Sequence, residues 1–235
     1  MSRRVLVITP TYNERENLEA FVGLLRASAP EAEVLVVDDN SPDGTGQIAD
    51  ALAAKDARIH VMHRPAKQGL GTAYPQGFRW ALARGFDVVF EMDTDLSHDP
   101  RYVPDFLAAI DAGGDVIIGS RNIPGGGVEG WGLGRHLLSK GGSLYSRTIL
   151  GVRLRDLTSG FVGYRRAALE GIGLESIRSN GYSFQIEMKF RSLRAGYRVV
   201  EHPIVFVDRR VGQSKMSRQI FAEALTMVWK MRLGL

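Results

Sequence analysis

Asp93-Thr94-Asp95-Leu96-Ser97 directly follows the apolar run Asp87–Met92. Carboxylates two residues apart at the end of a strand can give one oxygen to a divalent cation and another contact to a ribose or a bridging water. Mg2+ or Mn2+ held there would in turn bind a nucleotide diphosphate. A lone Asp-x-Asp also makes an ordinary strand-end turn, with an Asx cap ahead of Pro100. Its neighbours weigh against that simpler reading. Three further apolar runs exit into Pro10-Thr11-Tyr12-Asn13-Glu14, into Asp38-Asp39-Asn40-Ser41-Pro42-Asp43-Gly44 and into Ser120-Arg121-Asn122. Carboxylates gathered at one sheet edge cost electrostatic energy unless a cation or hydrogen-bond donors sit among them, which favours a ligand site. Asp39 can take ribose or base hydrogens, as acidic residues after a strand do in other nucleotide folds. Its plainer role is to N-cap the next helix.

A second group of chemistry-bearing residues lies late in the chain. Arg209 and Lys215 flank Gly212, so a loop could fold both cations around a diphosphate or a lipid phosphate. A solvated basic turn is the alternative. Other motifs fail on context. Gly125-x-Gly127-x-x-Gly130 has the dinucleotide-binding spacing but follows Pro124 with no strand-to-helix junction, so it reads as a flexible loop. There is no Walker A pattern and no GxSxG elbow. His60 and His63, three apart on a strand, face opposite sides and do not share a metal. His98, beside the acidic pair, reads as a surface loop histidine.

The elements that must carry these residues alternate along the first 120 positions. Short β-branched runs at Arg4–Thr9, Glu33–Val37, Arg58–His63, Asp87–Met92 and Asp115–Gly119 read as buried strands. Helix-period segments separate them, at Glu14–Ala27, Thr45–Ala54, Thr72–Arg84 and Pro100–Ala112, with Asn13 and Glu16 as a capping pair for the first. Such alternation predicts an open, mostly parallel twisted sheet covered by helices on both faces, which binds ligands at the carboxyl ends of its strands. Val199–Val207 reads as one further strand.

Composition narrows the function classes. The chain of 235 residues is 44% hydrophobic and 24% charged, which fits one folded domain and excludes a disordered chain or coiled coil. With no cysteine, thiolate zinc sites, iron–sulfur clusters, a cysteine nucleophile and disulfides are all excluded. That absence fits a cytoplasmic address, as does the lack of a signal peptide after MSRRVLVITP. Residues 1–120 hold 11 Lys and Arg against 18 Asp and Glu, and residues 121–235 hold 19 against 8, so the halves carry −7 and +11. An acidic first half suits a metal, and a basic second half suits phosphates, nucleic acid or an anionic membrane.

No apolar run reaches the length of a membrane span. Two stretches are nevertheless greasy. Leu133–Leu150 places Leu137, Leu138, Gly141, Leu144 and Tyr145 on one face beside Arg135, Lys140 and Arg147. In residues 219–235 a narrow polar stripe of Gln219, Glu223, Thr226 and Lys230 faces Ile220, Phe221, Leu225, Val228, Trp229 and Met231. Each would pack on the core, on another subunit or on a lipid interface.

Taken in order, ITPTYNERENL, VVDDNSPDGT, KQGLGTAY, MDTDLSHDP, GSRN, DLTSGF, FQIEM and VDRRVGQSK resemble the polyprenyl-phosphate (dolichol-phosphate) mannose synthases of glycosyltransferase family 2 across nearly the whole chain. The resemblance implies a GT-A fold. It also implies an inverting enzyme that moves mannose from GDP-mannose to a polyprenyl monophosphate. By it, Pro10, Tyr12 and Glu14 would line the nucleotide pocket, Val37 and Asp39 would hold base or ribose, and Asp93 would contact the donor. Thr94 would lie against the nucleotide. Asp95 and Ser97 would sit at Mg2+ or Mn2+, and Arg121, Arg209 and Lys215 would bind phosphates. Asp95, Arg209 and Lys215 are the expected catalytic groups.

Two departures from the family pattern stand out. Thr94 replaces an alanine and would crowd the pocket, and Ser97 replaces a glutamine some relatives use on the metal. Relatives that carry C-terminal transmembrane helices differ from this chain in that respect as well. The expected organisation is one catalytic domain over 1–235, with a nucleotide and metal half (1–120), an acceptor and phosphate half (121–218) and an amphipathic C-terminal helix (219–235). The expected setting is peripheral, on the cytosolic face of a membrane, directly or through a membrane partner subunit, with no nucleic-acid partner. UDP-glucose as donor on the same fold, and a non-catalytic nucleotide-binding scaffold, are the competing readings.

Overall fold

The computed structural model describes residues 3–208 and 218–234. The first half alternates strictly: β1 (Val5–Thr11), α1 (Leu18–Ser28), β2 (Glu33–Asp38), α2 (Thr45–Lys55), β3 (Ile59–His63), α3 (Leu70–Ala83), β4 (Val88–Glu91), α4 (Val103–Asp111) and β5 (Val116–Ser120). The second half adds β6 (Gly127–Glu129), α5 (Leu133–Leu150), β7 (Val162–Arg165), α6 (Arg166–Gly171), α7 (Gly181–Arg194), β8 (Val199–Pro203), β9 (Val205–Val207) and α8 (Arg218–Leu233).

Seven strands form one sheet in the order β3-β2-β1-β4-β7-β5-β8. Only β7 is antiparallel, wedged between β4 and β5. Alternate residues of a strand point to opposite faces, so Val5 and Val7 enter one core with α1, α2 and α4, while Leu6 and Ile8 enter the other with α3 and α7. Helices therefore cover both faces, and β1, β2, β4 and β5 read as continuous apolar runs because both of their sides are buried, whereas the edge strands β3 and β8 are mostly half-buried, so Arg58–His63 is not the buried strand expected. Because β1, β2, β4 and β5 share one direction, their exits meet at one edge.

Several local expectations need correction. The first helix starts at Leu18 rather than Glu14. Asn13 does not cap it: Asn13 sits at φ 58°, whereas a capping residue takes extended φ/ψ. Asp39 does not cap α2, since Asp43 Oδ1 accepts from Thr45 N at 3.0 Å. The glycine-rich segment is not simply a flexible loop, because Gly127–Glu129 pairs in parallel with β9. Val199–Val207 is two strands, with Ile204 between them as the chain leaves the main sheet for the small one.

Candidate active site

At the shared edge the backbone is under strain. Asn13, Asn40 and Leu96 are the described non-glycine residues with positive φ, at 58°, 55° and 59°, and they lie after β1, β2 and β4 in turn. L-residues enter that region at a cost, and such positions concentrate at functional turns. Leu96 lies inside the acidic turn itself. Asp95, 7% exposed, accepts at Oδ1 from Ser97 N (3.1 Å) and from Ser97 Oγ (2.5 Å). That turn holds the carboxylate and the hydroxyl against each other.

Asp93 lies beside it with its side chain 39% exposed and His98 Nδ1 3.7 Å from Oδ2. His98 is not a surface loop residue. Phe161 and Phe206 close over its ring at 5.6 and 5.4 Å between centroids, and only 2% of it is exposed. Burial drives its pKa down to about 4, against the opposing pull of Asp95. A neutral imidazole accepting from Asp93 N follows.

Thr94 turns inward. Its hydroxyl lies 2.6 Å from Thr9 Oγ1 and 3.4 Å from the Pro10 carbonyl, tying the acidic turn to the end of β1. Pro10 pairs with Val37 across β1 and β2, and the Val37 side chain is wholly in the core. Tyr12 lies under Lys67, whose Nζ is 4.3 Å from the ring centroid. Glu14 accepts from Asn17 Nδ2, and its backbone N–H donates to Thr45 Oγ1.

Asp39, 6% exposed, pairs with buried Arg64 at 2.9 Å and accepts from Gln68 N at 3.3 Å. Burial raises its pKa despite Arg64. The exit of β3 supplies both Arg64 and Lys67, neither of which has an expected role from sequence although KQGLGTAY begins at Lys67. Their signal was position: two cations after a strand of the same parallel set.

Arg121 is clasped. Its Nε and Nη2 donate to the two oxygens of Asp156, each at 2.7 Å, and Nη2 also donates to Thr158 Oγ1 at 3.0 Å. Trp131 and Phe206 stand 5.6 and 5.4 Å from its guanidinium carbon. Asp156 is fully buried; burial would raise its carboxyl, but Arg121 outweighs that and holds it below the usual carboxylate range.

Behind the turn, Glu91 accepts from Tyr164 OH and from Gln185 Nε2, and burial raises it to about 7 although Lys189 opposes the shift. Arg209 and Lys215 lie outside the described residues. The structure thus brings Pro10, Thr94, Asp93, Asp95 and Ser97 to one turn system, with Tyr12, Glu14 and Asp39 on the adjacent exits and Arg121 at the end of β5.

Asp95 and Ser97 fit a hard cation. Both present oxygen, as Mg2+ and Mn2+ prefer. Among the described residues no group of three or more His, Cys, Asp or Glu could hold a metal. A cation here would take its remaining ligands from phosphate and water, the usual habit of Mg2+ in phosphoryl sites.

An open, mostly parallel sheet with acids and cations ranged along its carboxyl edge defines an α/β protein of the kind that binds ligands at that edge. Residues 6–173 match the family model "Glycosyl transferase family 2", and the chain belongs to that family. It is 51% identical to an undecaprenyl-phosphate mannosyltransferase of Micrococcus luteus over 231 residues, covering 98% of this chain and 95% of that one. It is 50% identical to a polyprenol monophosphomannose synthase of Mycolicibacterium smegmatis, covering 98% and 88%. Among solved structures, glucosyl-3-phosphoglycerate synthase of Mycobacterium tuberculosis, in complex with Mn2+ and UDP-glucose, superposes with TM-score 0.70 at 18% identity, covering 100% of this chain and 80% of that one. The expected GT-A architecture is therefore the one found.

Proposed function

We propose that this glycosyltransferase moves mannose from GDP-mannose to a polyprenyl monophosphate, with inversion at the anomeric carbon. The observation that carries this reading is the Asp93–Ser97 turn at the carboxyl edge, in a chain about half identical over nearly its full length to proteins named for joining mannose to a polyprenyl phosphate. The acceptor makes the chemistry simple. A phosphate monoester has a second pKa near 6, so at neutral pH its oxygen attacks C1 without a general base. The new C1–O bond forms as the bond from C1 to the donor's β-phosphate oxygen breaks, and that oxygen keeps the electron pair in GDP.

Charge therefore grows on the diphosphate, and the residues at the edge are there to meet it. Asp95 and Ser97 would hold Mg2+ or Mn2+, which when bound supplies Lewis-acid neutralisation of the departing diphosphate. Asp39, with Arg64 and Gln68 N fixing its carboxylate, would face ribose or base. Arg209 and Lys215 would bring cations to the phosphates, and Arg121 would do so from its clasp with Asp156. Positioning and electrostatics would supply most of the acceleration.

The test uses purified protein, labelled GDP-mannose or UDP-glucose, a short polyprenyl phosphate, and Mg2+ or Mn2+. Mannosyl lipid of inverted configuration by NMR is expected, with turnover lost on chelation. Asp95→Asn should cut it by roughly 100- to 1,000-fold with an unchanged melting curve. Retained configuration, or full turnover in EDTA, overturns the mechanism; preference for UDP-glucose overturns the donor.

A further inference from the structure

Lys189 on α7 is wholly buried, between Met188 and Phe190, which are themselves buried. Removing an ammonium from water is costly unless every proton finds an acceptor. All three do: Nζ donates to Ser159 O at 2.7 Å, Gln185 Oε1 at 3.1 Å and Gln185 O at 3.2 Å. Two of these acceptors belong to the same helix, one turn back. The third, and shortest, is the main chain of the loop that leads into β7. Among the described residues the ammonium therefore hydrogen-bonds outside its own helix at one point, the Ser159 carbonyl.

That point adjoins the site. The next residue, Gly160, lies so near Asp93 and His98 that a Cβ on it would stand 3.5 Å from Asp93 Oδ2 and 3.3 Å from His98 Cε1. Beyond it, Phe161 N donates to Ser159 Oγ, and the Phe161 ring stacks on Phe106 at 4.4 Å. The loop's other end is held by the clasp of Arg121 on Asp156. Buried cations thus anchor this loop at Asp156 and at Ser159, and Gly160, next to the second anchor, forms the wall against Asp93.

We propose that Lys189 is a positioning residue for transfer, acting through the Ser159 carbonyl to fix the Ser159–Gly160 peptide against Asp93. This rests on the proposed function, with Asp93 contacting the donor as the family resemblance implies. A competing role is bare charge balance: Gln185 bridges Lys189 to Glu91, donating to one and accepting from the other. The two roles separate because Glu91 can be neutralised without restoring the grip on Ser159.

The experiment compares wild type, Lys189→Met and the double variant Glu91→Gln/Lys189→Met. It measures melting temperature, amide hydrogen exchange over residues 158–162, and kcat and KM for GDP-mannose. Lys189→Met is expected to lower kcat by on the order of 10- to 100-fold, more than it raises KM, and to speed exchange at Gly160 and Phe161. The double variant should regain the melting temperature but neither kcat nor protection. Should Lys189→Met itself fail to fold, the double variant decides alone. Wild-type kcat and wild-type exchange in the double variant overturn the proposal. If wild type transfers no mannose, the function assigned above has failed instead, and Lys189 is judged by exchange alone: unchanged protection in the double variant overturns its role, and lost protection supports it.

Discussion

Asp156 keeps its charge with no exposure at all, and the reason is the fork of Arg121 across both its oxygens. Its folded pKa is depressed below that of an ordinary aspartate, since the attraction of Arg121 outweighs the effect of burial. A depressed carboxyl stabilises the fold above its unfolded pKa, and that contribution fades as pH falls through the folded value. The pair should therefore support the protein at neutral pH and fail only in acid. Asp156→Asn strands a buried guanidinium, so urea unfolding at pH 7 should show a loss of about 3–5 kcal/mol. As pH falls below the ordinary aspartate range toward the depressed native value, the gap to wild type should narrow, because the unfolded chain takes up its proton first and wild type loses what the pair contributes. A gap that stays constant down to pH 3 would mean that the charge of Asp156 contributes nothing.

Between elements, the first and second halves of the chain are stitched where α3 meets α7. Asn180 Oδ1 accepts from Gly71 N and its Nδ2 donates to Gln68 O, while Gln68 N donates to Asp39. Gly71 permits this approach, since a Cβ there would lie 2.0 Å from the Ser179 carbonyl. Backbone cannot swing aside as a side-chain tip can, so Gly71→Ala should cost about 1–3 kcal/mol in thermal or urea unfolding. It should also weaken nucleotide binding measured by calorimetry, because Asp39 would lose its fixed donor. Unaltered GDP affinity in a destabilised variant would uncouple the loop from Asp39.

At this scale the sequence was legible where one signal sufficed. The runs behind β1 to β5 are rich in β-branched residues, and all but the edge strand β3 are buried on both sides, so their positions hold to within two residues, and the acidic turn announces itself by spacing. What it hid depends on distant partners. Strand β7 is four residues with a glycine inside, Val162–Arg165, and becomes a strand only because β4 and β5 leave a slot for it. His98 is buried by Phe161 and Phe206, far off in the chain, and Lys189 finds its carbonyl 30 positions away. No local pattern announces such contacts.

Across the whole molecule, the greasy second half resolves into a surface. Helix α8 packs against both α5 and α7, and buried Val228 anchors it in the core. Packing on the core is thus part of the answer for both stretches, yet it leaves apolar residues over. Leu137 and Leu144 on α5 are 71% and 54% exposed, and Trp229 and Leu233 on α8 are 52% and 65% exposed. Lys140, Lys230 and Arg232 are also exposed on these helices, and among the described residues no helix is long and apolar enough to cross a membrane. Apolar tips beside cations suit a peripheral seat on an anionic bilayer, where each buried leucine contributes about 1.5–3 kcal/mol and each nearby cation about 1 kcal/mol. A polyprenyl phosphate acceptor would have to be met at such a surface. Sedimentation with phosphatidylglycerol vesicles should therefore carry the protein down at low salt and release it as salt rises. Because deleting α8 would open the core around Val228, the variant of choice is Leu137→Asp/Trp229→Asp, whose vesicle binding should fall by at least about tenfold with its melting temperature kept. Equal binding by that variant would move the lipid-facing surface elsewhere, and no binding by wild type would assign membrane attachment to a partner protein.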